Sequence, residues 1–257
     1  MAHTKRYKKL NQKLCREAIK ECFKSKWLRN DVLTFIEKYS GVPRIDIKID
    51  TLQDTWEVRN EALDAMSLAL LGMVEDLVDQ GIEPDDMEPV TIRPRPDGMT
   101  GKVRDIALLC VTHQILGHLV KKMIEPLLNA RMLPTQHASI PGHGQTRLKD
   151  QMHRFFLRES IGITYVQKTD VVHAYESTQY SVPIELIRKE IPGARYALGI
   201  LDYLATVAPG GHLIIGGYLD AWLFNFGVVR HPVSVHVGDN TEREEGSVRD
   251  PLRDVHG

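Results

Sequence analysis

The chain has 257 residues and a formal net charge of -1, and 42% of its residues are hydrophobic. These values predict a globular protein with a buried core, in one large domain or two small ones. No apolar run is long enough to span a membrane, and no apolar signal sequence follows the first residues. Three cysteines without a metal-binding or redox spacing predict a reducing, cytoplasmic location.

The charges are unevenly distributed along the chain. Residues 3–29 contain ten Lys or Arg and two Glu, whereas residues 232–257 contain six acids and three Arg. A basic segment of this kind suits a polyanion such as nucleic acid, and a solvated helix face is the alternative interpretation. The acidic end, which has few apolar residues, predicts a polar, disordered tail.

The first third of the chain predicts helices. Apolar residues recur at helical spacing over residues 5–39, which indicates one or two helices. The alternating sequence RIDIKID (residues 44–50) predicts a short strand or an extended linker. Thr55 is then a candidate N-cap for a helix that runs to about Gln80, with Gly81 as its C-cap.

The sequence EPVTIRPRPDGMTGKVRDIALL (residues 88–109) predicts two short strands joined by a turn rich in Pro and Gly. Arg93, Arg95, Lys102 and Arg104 lie on or near this hairpin. Lys102 and Arg104 are two residues apart, so they point to the same side of a strand. A pair of cations on one face suits a triphosphate or a backbone phosphate, and it also suits an ordinary solvated strand.

Helices and strands alternate over the remaining chain. The pattern predicts helices over about 112–130, 146–158, 184–191 and 194–207. It predicts a glycine-containing loop over 133–147, a strand over 163–170, and an apolar strand with a Gly-Gly break that leads into a helix over 212–228.

Two features in this part of the chain suit chemistry, and each is ambiguous. Asp170 ends a predicted buried strand, where a carboxylate needs either an ion-pair partner such as Lys168 or a cation such as Mg²⁺. Gly142 and Gly144 precede a helix and suit a phosphate, although the sequence matches neither a Walker A loop nor a dinucleotide-binding motif.

The order of the motifs is more informative than any one of them. GKVRDI (residues 101–106) is followed by a long helix, by LPTQHASIPGHGQ (133–145), by TDVVHAY (169–175) and by IIGGYLDAWLFNF (214–226). Over residues 100–228 this series resembles the reverse transcriptase family, particularly the bacterial and phage enzymes of retrons, group II introns, diversity-generating elements and phage defence.

The resemblance implies an α+β fold with reverse-transcriptase-like fingers and a partial palm of a right-hand polymerase. The implied organisation is a helical, basic N-terminal region over residues 1–88, fingers over 89–162, a partial palm over 163–230 and a polar tail over 231–257.

The resemblance also assigns residues to a nucleotide and template site. Lys102 and Arg104 match the cations that hold the incoming triphosphate. Tyr175 matches the ring that stacks on the sugar and excludes a 2′-hydroxyl, and Gly216 and Gly217 match the glycine block that positions template and nucleotide.

The template block carries Ser139, Gly142, His143 and Gly144, with His143 where the family has arginine. Asp220 and Ala221 stand where the family has Ser-Gln after the glycine block.

The resemblance assigns fewer residues to the catalytic metals than to the nucleotide and template. Asp170 matches the metal-binding aspartate, and Val171 would contribute its backbone carbonyl. The family uses two Mg²⁺ ions and takes further carboxylates from an aromatic-x-Asp-Asp turn, which is not found after residue 228. Asp239, in a Gly-Asp-Asn sequence, is the candidate second ligand. We therefore expect a chain that is truncated or frameshifted after the glycine block.

The leading interpretation is an RNA-directed DNA polymerase that uses an RNA template, a DNA or RNA primer and deoxynucleotides, with this chain itself incorporating little nucleotide. The alternatives are a catalytically inactive nucleic-acid-binding remnant of the same fold and a helical interaction protein without a nucleotide site.

Overall fold

The computed structural model of the chain describes residues 7–96, 101, 103–131, 144–159, 177–213, 219–220 and 223. Its helices and strands, in chain order, are α1 (Gln12–Cys22), α2 (Asn30–Ser40), α3 (Arg44–Gln53), α4 (Glu57–Glu75), β1 (Thr91–Pro96), β2 (Val103–Leu108), α5 (Val111–Arg131), α6 (Gln145–Glu159), α7 (Ser181–Glu190) and α8 (Arg195–Val207).

Most of the predicted elements in the described ranges are confirmed. Residues 5–39, for which one or two helices are predicted, hold α1 and most of α2. Helix α4 continues as a π-helical turn, Asp76–Gln80, that ends at Gly81 with a left-handed φ of 72°. Strands β1 and β2 form the predicted antiparallel hairpin. The predicted strand over 163–170 lies outside the described residues. None of the described helices is long and apolar enough to cross a membrane.

The basic N-terminal segment enters α1 later than the periodicity predicts. The helix begins at Gln12, and the Asn11 side chain accepts a hydrogen bond of 2.9 Å from the Leu14 N–H. Before it, the Lys8 N–H donates to the Met123 carbonyl (2.8 Å), so this stretch is tied to the backbone of α5.

The strand predicted over residues 44–50 is wrong, because this segment forms α3. Ile47 and Asp50, three residues apart, are the buried positions of the helix, whereas Ile45 and Ile49 are exposed. The alternating apolar residues that suggest a strand therefore do not coincide with the buried positions. Burial of Asp50 has a cause outside the segment, which local sequence does not reveal.

The sequence predicts Thr55 as the N-cap of α4, and this prediction is wrong. Trp56 takes that position with a left-handed φ of 65°. The Thr55 hydroxyl donates a hydrogen bond to the Asp50 carboxylate instead.

The core is centred on α5, which is buried along most of its length. Helices α1 and α8 pack against α5, α4 packs on α1 and α2, and α7 packs on α8. The apolar side chains of all these helices form one hydrophobic cluster that also includes Leu213, Leu219 and Leu223. The basic N-terminal helices thus share their core with the helices that follow the hairpin.

A buried ion pair fixes the connection from α3 to α4. The Arg59 Nε lies 2.7 Å from Asp50 Oδ2, and the two side chains are 4% and 1% exposed. The guanidinium also reaches Asp54 (3.1 Å). Burial alone would raise the pKa of Asp50, but hydrogen bonds from Thr55 and Arg59 outweigh it and hold that pKa below its usual range.

We predict that Arg59→Leu lowers the free energy of unfolding by about 3–5 kcal/mol, because it leaves Asp50 buried without its partner. The matched control is Arg16→Leu, whose ion pair with Asp64 is partly exposed and should contribute less than about 1 kcal/mol. Urea denaturation measures both, and the double variant Asp50→Leu/Arg59→Leu should recover much of the loss. Equal effects of the two single substitutions would contradict this role for Arg59.

Candidate nucleic-acid interface

One face of the hairpin is cationic. In the register of β1 and β2, Arg95 lies opposite Arg104 and Arg93 lies opposite Ile106. Opposed residues share a face, so Arg93, Arg95 and Arg104 project from the same side, and all three are exposed. Like charges placed directly opposite each other destabilise a strand pair.

A cleft of about 610 Å³ lies where the hairpin meets α2. Its charged lining consists of the cations Arg29, Lys38 and Arg93 and the acids Asp31, Asp86 and Glu88.

Two of the acids in the cleft already have partners. The Arg29 guanidinium donates two hydrogen bonds to Asp31, and the Tyr39 hydroxyl donates to Asp86 (2.9 Å). Within the described part of the chain Arg93 forms no ion pair. The cation at the hairpin end of the cleft is therefore available to a ligand.

Some cations of the basic N-terminal segment are neutralised by ion pairs, and others are not. Lys8 and Arg16 form ion pairs with carboxylates 3.1 and 2.6 Å away. Lys9, Lys13 and Lys24 are exposed, and none of them has an ion-pair partner among the residues described. A polyanion can bind these three lysines without breaking an existing ion pair.

Two of the predicted site residues are described. Arg104 lies on β2, on the cationic face of the hairpin. Gly144 lies directly before α6, and its carbonyl accepts a hydrogen bond from the Leu148 N–H (2.9 Å). The predicted site residues that lie outside the described ranges are Lys102, Ser139, Gly142, His143, Asp170, Val171, Tyr175, Gly216, Gly217 and Asp239.

The candidate metal site is outside the described ranges as well. Among the residues that the structure does describe, no group of three or more His, Cys, Asp or Glu side chains could hold a metal ion.

The structure reveals a buried polar contact that sequence reasoning did not find. The Tyr180 hydroxyl donates a hydrogen bond to the Asp220 carboxylate, and the two residues are 1% exposed. Burial, followed by the nearby carboxylate, raises the pKa of Tyr180, so the phenol stays protonated and remains the donor. Asp220 thus has a structural partner. The two residues are 40 positions apart, and no local pattern links them.

A small cavity of about 220 Å³ lies beside this pair. His113 of α5 lines it and is 3% exposed, and its Nδ1 atom has no hydrogen-bond partner among the residues that the structure describes. Burial lowers the pKa of His113 to about 4, so the imidazole is neutral at pH 7.

No protein-family model matches the chain, and a search of the curated proteins finds no match. Exposed arginines on a strand pair and exposed lysines in and around α1 can bind phosphate groups.

We predict that His113 makes the protein less stable in acid. The folded pKa of about 4 lies below the unfolded value of 6.5, so the unfolded chain binds the proton first as the pH falls. The free energy of unfolding should fall between pH 7 and pH 4, with His113 contributing up to about 3 kcal/mol of that loss.

His113→Gln should lose less stability over this pH range than the unsubstituted chain. His153→Gln, at an exposed position on α6, is the matched control and should follow the unsubstituted chain. Chemical denaturation at a series of pH values measures the difference. Parallel pH profiles for His113→Gln and the unsubstituted chain would contradict the assignment.

Proposed function

We propose that this chain is a reverse-transcriptase-like protein that binds RNA, and that the cationic face of the hairpin and the exposed lysines of the α1 region hold the RNA backbone. The element order supports the proposal. A basic hairpin, β1–β2, leads directly into the long buried helix α5, which is the order that the resemblance implies for fingers.

The observation that carries the proposal is the opposed pair Arg95 and Arg104, with Arg93 on the same face. Three exposed guanidinium groups on a strand pair form no part of the hydrophobic core. Guanidinium groups bind phosphate oxygens through two parallel hydrogen bonds, and several such interactions release counterions from a nucleic acid. Several phosphates of one RNA strand can therefore bind these arginines at the same time.

The resemblance to reverse transcriptases also suggests that the proposed activity is nucleotidyl transfer. In this scheme an RNA template directs DNA synthesis from a DNA or RNA primer with deoxynucleotides. Mg²⁺ would be held by Asp170 with the Val171 carbonyl, and Asp239 is the candidate for a further ligand. Mg²⁺ would supply charge stabilisation at the reacting phosphate. Apart from Arg104, the residues of this chemistry lie outside the described ranges, so it rests on the sequence motifs.

A helical interaction protein is the second candidate, and one observation favours it. Ile45, Ile49 and Leu52 of α3 form an apolar stripe on the surface, 60%, 46% and 77% exposed. Such a stripe suits a protein partner. Binding of RNA that depends on salt and on the hairpin arginines distinguishes the two candidates, because a purely protein-binding surface has no such dependence.

We predict that Arg95→Ala/Arg104→Ala weakens binding to single-stranded RNA. The dependence of log affinity on log salt concentration should become shallower by up to about 0.7 for each phosphate that the protein no longer neutralises. Both arginines are exposed and lie outside the hydrophobic core, so the hairpin should remain folded.

The matched control for the hairpin variant is Lys48→Ala/Lys189→Ala. It removes the same number of exposed charges from α3 and α7. Fluorescence anisotropy over a salt series measures both variants. If the control loses as much affinity as the hairpin variant, the RNA is not held by the hairpin.

We also predict little or no nucleotide incorporation by the purified 257-residue chain on a primed RNA template with Mg²⁺ and deoxynucleotides. Asp170 is the one carboxylate that matches the metal-binding motif of the family, and a single carboxylate leaves most of the six positions of Mg²⁺ to water. Two ions are then not held in place for the transfer.

A primer-extension gel measures incorporation, and Asp170→Ala is the paired control. Robust extension that Asp170→Ala abolishes would contradict the prediction. It would make Asp239→Asn the next variant to test.

A further inference from the structure

A cavity of about 790 Å³ opens between α1, the turn after it, and the loop that joins α3 to α4. Within the residues that the structure describes, Ser25, Asp54 and Trp56 are the non-glycine residues with positive φ, at 62°, 54° and 65°. All three line this cavity. Left-handed backbone is unfavourable for residues with side chains, above all for a bulky one, and it concentrates at functional sites.

The surrounding contacts hold Trp56 in this conformation. The Thr55 N–H donates to the Asp50 carbonyl (3.2 Å), and the Trp56 carbonyl accepts from the Asn60 N–H (3.0 Å). The Arg59 guanidinium lies 3.9 Å from the centre of the Trp56 ring and is itself locked by Asp50. The indole is therefore fixed in the cavity wall by the most buried ion pair of this region.

The other cation at the Trp56 ring is held much less tightly. The Lys20 ammonium lies 5.2 Å from the ring centre, and Lys20 is exposed. Neither Lys20 nor the neighbouring Lys24 forms an ion pair within the described residues. A planar group can thus replace the Lys20 ammonium over the indole without breaking any ion pair.

The exposed lysines continue from this cavity along the chain. Lys13 and Lys20 are seven residues apart in α1, which places them on one side of the helix, and Lys20 and Lys24 both line the cavity. Glu17, Glu21 and Asp54 also line the cavity; Glu21 pairs with Lys122 and Asp54 pairs with Arg59. An aromatic ring beside exposed lysines is an arrangement by which proteins hold single-stranded nucleic acid: the bases stack and the cations follow the backbone.

We propose that this cavity binds an unpaired base of single-stranded RNA, which stacks on the Trp56 indole in place of the Lys20 ammonium. The phosphates on either side of this base bind Lys20 and Lys24. This inference rests on the proposed RNA binding and adds a second binding region to the hairpin. The interaction is tolerant of sequence, because every base presents a flat face to the indole.

The test compares two RNAs that carry the same number of phosphates. One is a short single-stranded RNA, and the other has the same length with a central run of abasic positions. The unsubstituted chain should bind the intact RNA about 5- to 100-fold more tightly than the abasic RNA. Trp56→Leu should lose this preference and bind both RNAs alike.

Control variants separate stacking from charge and from misfolding. Phe155→Leu removes an exposed ring from α6 and should keep the preference for the intact RNA. Lys24→Ala should make the salt dependence shallower for both RNAs while keeping the preference. If Trp56→Leu fails to show the circular dichroism of the unsubstituted chain, Trp56→Phe takes its place and should reduce the preference only partly.

The outcomes distinguish this inference from the proposed function. Equal binding of intact and abasic RNA by the unsubstituted chain, or an undiminished preference in a folded Trp56 variant, would overturn the stacking site and leave the hairpin interface standing. No binding of either RNA by the unsubstituted chain would overturn the proposed function, and the stacking site with it.

Discussion

The buried ion pair between Asp50 and Arg59 is the constraint on which the N-terminal half of the molecule depends. A carboxylate that is 1% exposed is tolerated because a guanidinium and the Thr55 hydroxyl satisfy it. The pair closes the loop between α3 and α4, and it stacks Arg59 against Trp56. Trp56 in turn meets Trp27 edge to face, at 5.9 Å between ring centres. One charged interaction thus connects α3, α4 and the turn after α1, and it fixes the aromatic wall of the surface cavity.

Helix α5 performs the corresponding role for the hairpin. The Gln114 side chain donates to the Leu109 carbonyl (2.7 Å), and the same residue accepts a hydrogen bond from Lys26 (3.0 Å). These hydrogen bonds tie the end of β2 to α5 and to the turn after α1. The base of the hairpin is therefore anchored in the core, while Arg95 and Arg104 lie exposed beyond it. A rigid base that carries exposed cations is suited to binding a polyanion, because little conformational entropy is lost on binding.

Sequence reasoning succeeded where the pattern and the burial follow the same local rule. The hairpin, the long helix α5 and the C-cap Gly81 are of this kind. It failed at α3, where Asp50 is buried because of Arg59 in the next helix, an interaction that no periodicity encodes. For the candidate site, sequence predicted the cationic hairpin and Arg104. The stacking cavity was missed because it depends on the unusual backbone of Trp56. The metal and template residues remain predictions from motifs.

The most direct test of the account is the footprint of single-stranded RNA on the protein, measured by hydrogen–deuterium exchange at low salt. If the cationic hairpin face and the cavity hold RNA, exchange slows with RNA bound in β1, in β2 and in the turn that follows α1. No change is expected in α7, which contributes to neither surface. Protection confined to α7, or unchanged exchange in both strands of the hairpin while RNA is bound, would contradict the claim that this cationic face holds the RNA.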